Sequence, residues 1–65
     1  MDKNLAIKAA NILYDIEECE NVVDELSNFR NTLETNNQDI LDIIDDALLK
    51  FENYIVKKNE ELNNL

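Results

Sequence analysis

The stretch ILYDIEECENVVDELSNFRNTL, residues 12–33, and its counterpart LDIIDDALLKFENYIVKKNEEL, residues 41–62, decide how this chain folds. In the first, Ile12, Cys19, Leu26 and Leu33 recur every seven residues, with Ile16 and Val23 between them. In the second, Leu41, Leu48, Ile55 and Leu62 recur at the same interval, with Ile44 and Phe51 between. Leu5 and Ala9 carry the first series back toward the N-terminus, and Leu65 carries the second forward. Such alternating steps of three and four mark the a and d positions of helices packed along a seam.

Nothing in the composition interrupts a helix, because Gly and Pro are both absent from the 65 residues. The spacing therefore predicts an all-α chain, one helix over about 2–34 and a second over about 38–63, in a single domain spanning 1–65. Between them Thr35-Asn36-Asn37 is the one break, where the seam loses its phase. Asn tolerates the left-handed exit of a helix; Thr35, Asn36 and Asn37 can each cap the next one, and Thr35 with Gln38 three residues on has the spacing of a capping box.

A connection this short makes the helices antiparallel neighbours. Facing residues of an antiparallel pair have numbers with a constant sum. Leu33 with Leu41, Leu26 with Leu48, Val23 with Phe51, Cys19 with Ile55 and Ile12 with Leu62 all add to 74. Two repeats read independently thus agree on one coiled-coil-like hairpin, about 50 Å long at about 1.5 Å per residue. Two layers of the seam are mixed: Arg30 should face Ile44, and Lys58 should face Ile16. Both side chains are long enough to lay their stems on the seam and lift their charges into water, with Glu34 and Asp45 as candidate partners for Arg30.

The two flanks of this seam differ in character. The g positions read Val22, Phe29, Ile40, Ala47 and Tyr54, whereas the e positions near the turn read Glu20, Ser27, Glu34, Gln38, Asp45 and Glu52, with a smaller apolar feature, Ala6, Ala10 and Leu13, on that other side near the N-terminus. One flank is apolar and the other acidic. A two-helix hairpin cannot bury that apolar flank alone, and contiguous apolar surface of this kind marks an interface. Val22, Phe29, Ile40, Ala47 and Tyr54 are therefore the candidate interface residues. Either a second copy completes a four-helix bundle as a homodimer, or another protein supplies the missing helices.

Charge singles out a second surface. The net charge is −9, and residues 9–49 hold eleven acids against one base, Arg30. Such a field favours a basic partner and repels nucleic acid. Glu17, Glu18, Asp24, Glu25, Asp42, Asp45 and Asp46 are the candidate partner-binding acids. Lys3, Lys8, Lys57 and Lys58 gather toward the open end, the one place where phosphate contact would be possible.

Several chemistries lack their parts. With one cysteine, Cys19, at a seam position and no histidine, no activated nucleophile is expected. There is no Gly-rich phosphate loop, no inward Glu-x-x-His pair and no calcium loop, so neither a cofactor nor a metal is expected. A convex rod also predicts no pocket for catalytic carboxylates or a small-molecule substrate. No apolar run is long enough to span a membrane, and no export signal begins the sequence, which points to a cytoplasmic protein.

The expectation is a small, acidic, non-enzymatic protein-interaction module that regulates or inhibits a partner. Its sharpest form is a nucleic-acid mimic of the sort a phage or mobile element would encode, its carboxylates occupying a groove made for phosphates. The alternative is a structural assembly adaptor or small chaperone that works through the apolar flank while the acids only maintain solubility.

Overall fold

A computed structural model describes residues 2–65; Met1, the first residue of the expected domain, lies outside the described residues. Two helices pack against each other as a hairpin: α1 spans Lys3–Thr32 and α2 spans Gln38–Asn63, with no strand among the described residues. The molecule is a rod of 53 × 16 × 11 Å.

Local chemistry sets each end. Asp2 caps α1, its carboxylate accepting from the Asn4 N–H at 3.0 Å and its carbonyl from the Ala6 N–H at 3.1 Å. The expected first helix runs on to Glu34, but α1 stops at Thr32. The Thr32 hydroxyl donates to the Phe29 carbonyl at 3.0 Å, and Leu33 turns extended at φ −73°, ψ 118°. Its N–H still reaches the Arg30 carbonyl at 3.3 Å.

The turn differs from expectation in two ways. No described residue has positive φ, so the chain leaves α1 without a left-handed Asn. Nor does the Thr35–Gln38 capping box form. The Thr35 hydroxyl instead accepts from the Asn37 N–H at 3.1 Å, making a small turn that aims Asn37 at the next helix. Asn37 is then the cap, its side-chain oxygen accepting from the Asp39 N–H at 3.0 Å. Gln38, freed from capping, donates to Asp42 at 2.8 Å one turn into α2.

Cross-helix pairs read out the register. Arg30 meets Asp45 at 2.6 Å and Lys58 meets Asp15 at 3.9 Å; these numbers add to 75 and 73, either side of the expected 74. The Arg30 guanidinium is bidentate, its second nitrogen donating to the other Asp45 oxygen at 3.1 Å. Asp45, rather than Glu34, is therefore its partner. Both long bases are half-buried at the seam with their charged heads held in ion pairs at its edge.

The seam buries little. Among the described residues only Ile16, Cys19 and Ile44 are buried, and no side chain is wholly enclosed. Ile16 and Ile44 are the partners of Lys58 and Arg30 in the two mixed layers, so the aliphatic stems of the bases complete their cover. Phe51, expected in the seam, is 37% exposed, and Leu5 and Leu65 are exposed at the open end. A pair of helices has only one contact line, so a large d-position ring is covered on one side only.

Candidate interaction groove

Cys19 sits one turn from the layer that Phe51 shares with Val23. Its Sγ lies 3.4 Å from the Phe51 carbonyl, a thiol donating to the opposite helix's backbone. The exposed Phe51 stands beside the g-flank residues Val22 and Tyr54. A groove of about 440 Å³ lies there. From α1 it is walled by Asp15, Glu18, Cys19 and Val22; from α2, by Lys50, Phe51 and Tyr54. The rod does carry a groove, but its floor is apolar and its charges stand at the rim, so it differs from the polar pocket that catalytic carboxylates would need.

Lys58 closes the open end of this groove. Its ammonium stands 5.4 Å from the centre of the Tyr54 ring, within cation–π range, and also meets Glu61 at 3.2 Å. The Glu61 hydrogen bond is the main reason the Lys58 pKa is raised, against a lesser opposing effect of desolvation. Lys58 is therefore committed within the chain, which removes one of the four bases that sequence gathers at the open end. The Arg30 pKa is raised likewise, chiefly by its hydrogen bond to Asp45. Burial pushes the Cys19 thiol up, and the charge of Glu20 adds to it. Cys19 is free and buried, a poor nucleophile in that state.

Of the five candidate interface residues, Val22 and Tyr54 line the groove, and Phe29, Ile40 and Ala47 continue its flank one or two heptads toward the turn. Val22, Phe29, Ile40 and Tyr54 are exposed, Phe29 at 53%; Ala47 is half-buried. Sequence reasoning on the g positions alone misses three members. Phe51 and Cys19 enter from the seam. Ile43, 69% exposed, sits three residues from Ile40 and four from Ala47, so it widens the same strip. Its spacing from those two was the available signal.

The seven candidate acids are all exposed, but they do not form one face. Glu18 lines the groove, and Glu25, seven residues on, shares its side. Glu17 and Asp24 point about 100° away, toward the acidic e flank with Asp42 and Asp45. Asp46 lies on the outside of α2, bound to Lys50 at 3.0 Å. The e flank thus keeps Glu17, Asp24, Asp42 and Asp45, with Asp45 half-neutralised by Arg30.

No set of His, Cys, Asp or Glu among the described residues is placed to hold a metal ion, and no helix there is long and apolar enough to cross a membrane. Set against family models, curated proteins and solved structures, the chain matches none. Its surfaces alone carry the functional reading.

Proposed function

We propose that this chain is a non-enzymatic protein-interaction module that buries its apolar flank in a helical bundle and presents its acidic flank to a basic partner, which it regulates or inhibits. One observation carries the first half. The hairpin exposes 5156 Å². A compact monomer of 7.6 kDa exposes about 4300 Å². The excess, roughly 900 Å², is close to the about 800 Å² that each side of a standard interface buries. The groove and the strip through Phe29, Ile40 and Ile43 are the apolar part of that excess.

The second half is supported by the distribution of charge. Once the apolar flank is covered, Glu17, Asp24, Asp42 and Glu52 remain on the free side, where Arg30 is bound to Asp45. A protein surface built to hold phosphates is the basic target that such a row of carboxylates on a rigid rod would occupy best. The groove also favours the adaptor reading, in which the apolar flank itself holds the client and the acids keep the rod dispersed.

Capture from the native host at low and at high salt separates the two. The regulatory reading expects a partner that is lost as salt rises. It also expects loss with Glu17→Lys, Asp24→Lys and Asp42→Lys combined, but retention with Ile43→Ala. Capture that ignores both salt and the reversed acids, and fails with Ile43→Ala, overturns it in favour of the adaptor.

A further inference from the structure

The groove has rims of opposite sign. On the α1 side stands Glu18, with Glu25 one heptad nearer the turn; on the α2 side stands Lys50, with Lys57 one heptad nearer the open end. The hairpin register sets these rims level with one another. Glu18 lies opposite Lys57 and Glu25 opposite Lys50, both pairs adding to 75, the sum of the Arg30–Asp45 pair. Across one molecule the rims are on the outer edges of two helices, and neither Glu18 nor Glu25 is in an ion pair among the described residues.

We infer that the occupant of the groove is a second copy of this chain, related by a two-fold axis running along the rod, with both turns at the same end. The inference rests on the reading that association covers the apolar flank. Two ways exist to set two hairpins face to face by a two-fold axis. An axis across the rods lays α1 on the partner's α1, so Glu18 and Glu25 meet carboxylates and Lys50 and Lys57 meet ammoniums. An axis along the rods lays α1 on the partner's α2 instead. That axis carries no shift along the rod, so every residue meets the level it already faces in its own hairpin. Glu25 then meets the partner's Lys50 and Glu18 the partner's Lys57, four ion pairs in all by symmetry. Lys50, bound to Asp46 on the outside of α2 at 3.0 Å, then bridges that carboxylate and the partner's Glu25. Between the rims, Phe29 and Ile43 of each copy cover the other's strip in a four-helix arrangement.

Charge exchange tests the pairing. Because each substitution acts twice in the dimer, Glu25→Lys should weaken dimerisation by roughly tenfold or more, and adding Lys50→Glu should restore it. A spin label on Asn36→Cys, in a Cys19→Ala background, reads the axis directly. With both turns at one end the labels should lie within about 20 Å, two interaxial distances. A dimer whose labels lie beyond about 30 Å, or whose charge exchange fails to restore binding, overturns this arrangement and leaves the association reading intact. A folded wild-type monomer at micromolar concentration overturns both.

Discussion

Cys19 is buried at the seam, its sulfur 3.4 Å from the Phe51 carbonyl of α2, and it lines the groove beside Phe51. The same burial makes it a pH probe. The ordinary thiol value is 9.0, and the folded value is raised. Below pH 9 both folded and unfolded chains hold the proton. Above it the unfolded chain releases its proton first, so stability falls as pH climbs from about 9 through the folded value. Lys58, raised from 10.5, adds a loss of the same sign at higher pH. Urea midpoints at fixed protein concentration should therefore drop between pH 7 and pH 10, and Cys19→Ala should lessen the drop. An equal drop in that variant would refute the assignment.

Two neighbouring isoleucines separate folding from association. Ile44 is buried in the seam and Ile43 is the most exposed large hydrophobic residue among those described. Ile44→Ala should cost about 2–5 kcal/mol, enough to unfold a chain this small. Ile43→Ala should leave helicity unchanged at concentrations where the dimer is saturated, but raise its dissociation constant. Circular dichroism over a dilution series distinguishes them. Equal loss of helix in both at high concentration would contradict the division of roles.

At the scale of elements, the seam was legible because a repeat of seven is a geometric statement, independent of which apolar residue occupies each site. The constant sum of 74 carried the antiparallel register, and the Arg30–Asp45 and Asp15–Lys58 pairs fall either side of it, at 75 and 73. The turn was less legible. Thr35, Asn36 and Asn37 are chemically equivalent caps, and only backbone geometry chose Asn37. Asn37→Ala should accordingly cost about 1 kcal/mol, and Asn36→Ala much less. Chemical denaturation of the two variants side by side checks this; equal costs would place the cap elsewhere. The groove was illegible for a related reason. The heptad assigns Phe51 to the seam but does not say how much of the ring a single facing helix covers, and the residue is left 37% exposed.

The whole molecule is defined by what it leaves uncovered. Its radius of gyration is 15.5 Å, where a compact chain of this length would have about 11 Å. Three buried side chains do not hold two helices of 30 and 26 residues together with much margin. The e and g flanks were distinguishable in sequence, so the existence of an unsatisfied apolar side followed from the repeat. What covers it did not, because that depends on rims brought level only by the folded register. Glu18 and Glu25 illustrate this: they read as part of an acidic surface in sequence, yet stand beside the groove opposite two lysines. The most direct test of the account is the mass of the intact protein by light scattering at micromolar concentration. A helical species of about 15 kDa, twice the 7.6 kDa chain, is the predicted result. A folded, helical species of 7.6 kDa would contradict it.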